Sequence, residues 1–153
     1  MVEGLLASVV LSICVVAFSV AVRSGHMQSY QSLHTRKAME FAEELMETIL
    51  SLPYSDPQGT SQLGPESGEA TVSAFDNIDD YNGYTDSGTQ PDRVGVAYGE
   101  AYQPYTRSVI VAYCTQSVAG LGSPIPGLTV TVTVQDNGKR TWQLTRFVPA
   151  PAN

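Results

Sequence analysis

Between Glu3 and Arg23 the chain runs nineteen residues, Gly4 to Val22, with neither a charge nor a proline: GLLASVVLSICVVAFSVAV. Leu, Val, Ile, Phe and Ala dominate it. Coiled as a helix at 1.5 Å per residue, the run is roughly 28 Å long, about the hydrocarbon thickness of a bilayer. What the protein does must follow from where this segment goes. A basic stretch ahead of it is missing, and it is longer than the apolar region of an ordinary cleavable secretory signal. A retained anchor or packing element is the expectation.

Helical periodicity continues past Arg23. Apolar residues recur at Met27, Tyr30, Leu33, Ala38, Phe41, Leu45, Ile49 and Leu52, in steps of three, four and occasionally five. That spacing draws one stripe along a helix, with Glu40, Glu43, Glu44, Glu47 and Ser51 mostly off it. Pro53 ends the pattern, because the residue before a proline is pushed out of the α region. The spacing therefore predicts one helix of about fifty residues, apolar all round over 1–25 and amphipathic over 26–53. Gly25 marks the place for a bend or a local loss of helix.

The stretch 54–105 is punctuated by Pro57, Gly59, Gly64, Pro65 and Gly68 and reads as irregular. Short strands are expected at Ala70 to Ala74 and Val94 to Tyr98, flanking an acidic loop over 76–92. The remaining residues, 106–153, read as antiparallel sheet. Thr106 to Cys114 is apolar at both parities and predicts a central strand covered on both faces. Leu128 to Gln135 alternates strictly, with Leu128, Val130, Val132 and Val134 on one face. Arg140 to Val148 carries Trp142, Leu144 and Val148 on one face, interrupted by Arg146. A three-residue loop of Asp136, Asn137 and Gly138 sets Val132 opposite Trp142 and Val130 opposite Leu144, with Gly138 left-handed. The fold class expected is α+β: a long amino-terminal helix packed through its Met27–Leu52 stripe on a small carboxy-terminal antiparallel sheet.

Excess acid, a net charge of -7 and a pI near 4.6, argues against a nucleic-acid partner. A bridge between the two cysteines, Cys14 and Cys114, would drag the domain onto the middle of the apolar run, so two free thiols are expected.

The segment Met1-Val2-Glu3-Gly4-Leu5-Leu6-Ala7, with the stretches AMEFAEELMETILSLPY (Ala38 to Tyr54) and FDNIDDYNGY (Phe75 to Tyr84), resembles the type IV pilins and pseudopilins. Glu3 lies nearer the start of the chain than the family's glutamate does. The resemblance implies a structural subunit of a type IV pilus-like extracellular filament, made of identical copies and polymerising through the apolar helix. It also implies residence in the bacterial inner membrane before assembly, cutting and methylation by a prepilin peptidase, and contact with the pilus assembly machinery. In that setting Glu3 pairs with a neighbour's amino terminus, and Leu5, Leu6, Val9, Val10, Ile13, Val16, Phe18 and Val20 pack the filament core. A carboxylate costs about 2.5–3.5 kcal/mol at mid-bilayer, and in a water-free bundle it needs a cation. The other readings are a minor pseudopilin of a secretion system and a signal-anchored extracytoplasmic binding domain that does not polymerise.

Other chemistry is thinly represented. Asp76, Asp79, Asp80, Asn82 and Asp86 offer oxygens of the kind calcium takes. They fail the EF-hand spacing, since Ile78 falls at the first ligand position and the final Glu is missing, so a solvated acidic turn is the plainer reading. No other cofactor is implied. His26 and His34 both lie on the long helix, eight positions apart, and do not align as a metal pair. The chain has no Cys–His nucleophile system, no Gly-x-Ser-x-Gly elbow and no phosphate-binding glycine pattern, and no enzyme is expected. Tyr81, Tyr84, Tyr98, Tyr102 and Tyr105 are expected to pack back onto their own sheet, with subunit contacts as the alternative.

Overall fold

The computed structural model describes residues 2–57, 59, 62–117, 120 and 123–151. Met1, which opens the segment resembling pilins, lies outside them. The architecture is α+β: one long amino-terminal helix, α1 (Val2–Leu50), and a four-stranded antiparallel sheet made by the carboxy-terminal part. The chain divides into two units, 1–36 and 37–153.

In the first unit every described residue is helical, and α1 passes through Gly25 without a break. Exposure of Met27, Tyr30 and Leu33, each more than half accessible, corrects the stripe expected to begin there. These three share a helical face, but periodicity alone does not supply a partner for it.

In the second unit the stripe is buried from Ala38 onward. Ala38, Phe41, Ala42, Leu45, Met46 and Ile49 fall at the i, i+3, i+4, i+7, i+8, i+11 positions of one face and enter the core. The helix closes by tightening: the Ser51 N–H donates to Glu47 and Thr48, and the Leu52 N–H donates to Ile49. Pro53 follows and cannot continue it.

The sheet order is β1 (Thr85–Ser87), β2 (Tyr105–Gln116), β3 (Ile125–Asp136), β4 (Thr141–Pro149), every neighbour antiparallel. Its buried face carries Tyr105, Arg107, Val109 and Val111 from β2 and Leu128, Val130, Val132 and Val134 from β3, joined by Leu144 of β4. The opposite face carries hydroxyl and amide pairs, Thr131 against Thr145 and Gln143 against Thr133, alongside Ile110 and Phe147. This corrects the expectation that β2 is covered on both faces: on that side Ile110 is more than half exposed, Ala112 is exposed and Cys114 is half-buried. An apolar run on a strand sets no limit on how many layers cover it.

Three further expectations are corrected. Residues 72–74 form a single 3-10 turn rather than a strand. The stretch 94–98 is held by one isolated bridge between Pro91 and Ala97. In the β3–β4 hairpin Val134 faces Trp142 and Val132 faces Leu144, a shift of two residues from the expected pairing. A two-residue shift keeps every side chain on its face, so alternation cannot detect it. The loop is Asn137, Gly138 and Lys139, and Lys139 takes the left-handed position, with φ 62°. Asp136 decides this register: its carboxylate accepts the backbone N–H of Arg140 at 2.9 Å and the Arg140 Nε at 2.8 Å.

Glycine is needed for close approach at Gly88. A Cβ there would stand 2.0 Å from the carbonyl oxygen of Tyr102. The Gly88 N–H also donates to Tyr105, so the 98–105 segment is drawn against β1.

Candidate functional site

Two features stand out: the surface of Val2–Val22, and polar groups inside the second unit.

Leu5, Leu6, Val9, Val10, Ile13, Val16, Phe18 and Val20 are between 54% and 71% exposed, and they surround the helix. At about 1.5–3 kcal/mol for fully burying each such side chain, leaving eight this open to water costs on the order of 10 kcal/mol. That equals the whole stability of an ordinary domain, about 5–15 kcal/mol. Such a surface has to be covered. The helix suits an apolar cover, because its hydroxyls are satisfied internally. Ser8 donates to Leu5, Ser12 to Ser8 and Ser19 to Val15, all at 2.7–2.8 Å. By length and composition, α1 is long and apolar enough to cross a membrane, a measure that an anchor and a signal sequence near the amino terminus both meet. Glu3 sits exposed in the first turn, the end of a helix that favours negative charge.

Inside the second unit, Arg107 points from β2 into the core and is almost wholly buried. Its guanidinium grips Asp86 of β1 with two hydrogen bonds, the Nε one at 2.8 Å. It also donates to the Phe41 carbonyl at 2.9 Å, to Tyr98 Oη at 2.7 Å and to Glu44. The Phe41 ring lies beneath it at 3.8 Å. Burial alone would lower the pKa of this cation; the Asp86 and Glu44 carboxylates outweigh it and hold the pKa above the usual arginine range. Burial pushes the Tyr98 hydroxyl up to about 12 against the opposing pull of Arg107. Five donors meeting several acceptors in fixed geometry tie α1, β1, β2 and the Tyr98 loop together.

Of the acidic candidates, Asp86 and Asn82 are engaged apart from the Asp76–Asp80 turn. Asp86 belongs to the Arg107 pair, and Asn82 Oδ1 accepts the Val111 N–H at 3.1 Å. Asn77 and Asp80 lock one another's loop as in a capping box. Asn77 Oδ1 accepts the N–H groups of Asp79 and Asp80, while Asp80 Oδ2 accepts those of Asp76 and Asn77. Asp80 also meets two residues that sequence reasoning missed. Glu66, Glu69 and Asp80 each bring one carboxylate oxygen within 4.8 Å of the others. Asp79 is buried beside them. Its carboxyl is pushed up to about 6, first by burial and then by the charges of Asp80 and Glu66. At Glu69 the Glu66 backbone N–H, donating at 2.9 Å, pulls the pKa down. Burial, the Glu66 carboxyl and the Asp80 charge outweigh it and push the pKa up to about 7.

The tyrosines pack inward: Tyr81 and Tyr105 are buried, and Tyr84, Tyr98 and Tyr102 are packed against the same core. Tyr98 and Tyr102 lie 4.9 and 5.3 Å from the Phe41 ring. Cys14 and Cys114 are both free thiols. His26 is exposed, and the His34 ring lies against Tyr30. The signal for Arg107 was present in the parity of β2, where it stands between Tyr105 and Val109 on the inward face. Glu66 and Glu69 gave no such signal, because their partner is brought to them only by the fold.

No protein-family model, curated protein or solved structure matches this chain.

Proposed function

We propose that the chain is a structural subunit of a type IV pilus-like filament, held in a membrane by Val2–Val22 before assembly and joined to copies of itself through the same surface afterwards. The observation that carries this reading is the helix surface, apolar all round, exposed along its length and headed by one acid. Lipid and the apolar helices of sister chains are the two covers that fit it. A subunit that exchanges one for the other needs no change in that surface, only a way to set register. Glu3 supplies it: in a water-free bundle its carboxylate demands a cation, and a neighbour's amino terminus is the group nearest in kind. Removing one partner of such a pair costs several kcal/mol. The Lys37–Asn153 unit, with its acidic loops, then carries the water-facing surface and any adhesive or secretory role.

Electron microscopy of material sheared from the surface of cells that make the protein tests this directly. Filaments containing the chain are expected, and Glu3→Ala should cut their yield at least about tenfold while leaving the fold of the domain unchanged by circular dichroism. Normal yield from that variant refutes the charge pairing. Recovery of the native protein only as lipid-bound single molecules refutes the filament.

A further inference from the structure

We propose that Glu66, Glu69 and Asp80 form a calcium site, in which the turn at residues 66–69 and the turn at residues 79–81 hold one Ca²⁺ between their carboxylates. Three observations lead to it, and none depends on filament assembly.

The first is separation. One oxygen from each residue lies within 4.8 Å of the other two, inside the span that ligands at about 2.4 Å, the calcium–oxygen distance, have across one ion.

The second is unsatisfied valence. Asp80 is completely buried, and Oδ2 is spent on the N–H groups of Asp76 and Asn77. Its Oδ1 is buried without a hydrogen-bond partner, and so is Oε1 of Glu69, a residue only 8% exposed. Buried carboxylate oxygens without donors are costly unless a cation meets them.

The third is the donor set. It is all oxygen, with neither imidazole nor thiolate, which selects a hard cation over zinc or copper. Glu66 is only half-buried and leaves a side open to solvent. An ion can enter there, and water can complete the six to eight ligands calcium takes.

The site would fasten the 62–69 stretch to the FDNIDDY turn, two segments joined by little regular structure. This assigns calcium to ligands largely different from those suggested by the acidic loop alone, where Asp86 and Asn82 are committed elsewhere.

The full chain in detergent micelles, stripped with a chelator, is titrated calorimetrically with calcium chloride up to about 5 mM, above the range of weak extracellular calcium modules. One ion per chain is expected, together with a higher thermal midpoint read from Trp142 fluorescence. Glu69→Gln and Asp80→Asn should each weaken binding at least about tenfold, whereas Glu47→Gln, on the exposed side of α1, should not. Should Asp80→Asn fail to fold, Glu69→Gln, outside the interlocked Asn77–Asp80 loop, carries the test. Absence of heat and of any midpoint shift in the unaltered chain overturns the proposal, and a proton-sharing carboxyl cluster would then remain. Unchanged affinity in Glu69→Gln overturns the assignment of ligands. Magnesium binding as tight as calcium overturns the choice of ion.

Discussion

Replacing Arg107 with methionine keeps most of the side-chain volume and removes the charge that the domain is arranged around. The consequences are unequal for its two acids. The Glu44 side chain is 43% accessible, so water can take over its solvation and that arm is worth about 0–1 kcal/mol. The Asp86 side chain is only 3% accessible. Without Arg107 its remaining side-chain hydrogen bond is the one from Tyr84 Oη, at 3.2 Å. Leaving such a carboxylate buried and uncompensated costs about 3–5 kcal/mol, to which the orphaned Phe41 carbonyl adds about 1. Contact between the new thioether and the Phe41 ring returns up to about 1. The net loss is therefore about 3–5 kcal/mol, a third or more of the stability of an ordinary domain. At about 4 °C per kcal/mol, a midpoint drop of roughly 12–20 °C follows. Trp142 reports it cleanly, being the one tryptophan of the chain, packed against the core with its ring 6.1 Å from Tyr105. The double variant Arg107→Met, Asp86→Asn should recover more than half of the loss, because the amide no longer needs a counter-charge. A loss under about 1 kcal/mol for Arg107→Met, or no recovery in the double variant, would refute the claim that the buried pair rather than packing holds these elements together.

Two further outcomes concern the turn and the acids. At Lys139 the left-handed backbone costs a side chain roughly 1–2 kcal/mol. Lys139→Gly should be neutral or stabilising by up to about 1 kcal/mol, and Lys139→Val should lose about 1–2 kcal/mol; equal tolerance of both in denaturant melts would show that the loop does not hold this conformation. In chelator, stability should fall as pH rises. The folded-state values of Glu69, about 7, and Asp79, about 6, lie above their ordinary 4.5 and 3.8, so the folded chain holds these protons more tightly than the unfolded one. Their contribution is complete below about pH 4 and is lost as pH climbs through 6 and 7. Asp136, pushed up by burial but held low overall by Arg140, titrates below this window. Melting midpoints between pH 5 and 8 that stay flat, or rise, would contradict this account, and Glu69→Gln should remove most of the slope.

The long helix, its change of character near the middle and the alternating third of the chain were all legible in the residues. Each rests on short-range regularity: a charge-free length, a 3.6-residue stripe, a two-residue alternation. The same regularity explains the misreadings. Alternation defines which face a side chain takes but not the offset between strands, and the β3–β4 pairing settled two residues away because Asp136 caps the turn through Arg140. Likewise, an apolar stripe says that a face must be buried without saying by what, so Ala38 to Ile49 found the core while Met27, Tyr30 and Leu33 remained exposed.

What the chain by itself determined is the exposed apolar segment from Gly4 to Val22 and the order of helix before sheet, since both follow from local composition and spacing. Only the tertiary structure decided where the charges meet. Arg107 reaches Glu44 and Asp86 across separations of sixty-three and twenty-one residues, and Asp80 comes to Glu66 and Glu69 from another turn altogether. Electrostatic partners are selected by distance in space and by the loss of water around them. Neither quantity exists until the chain has folded.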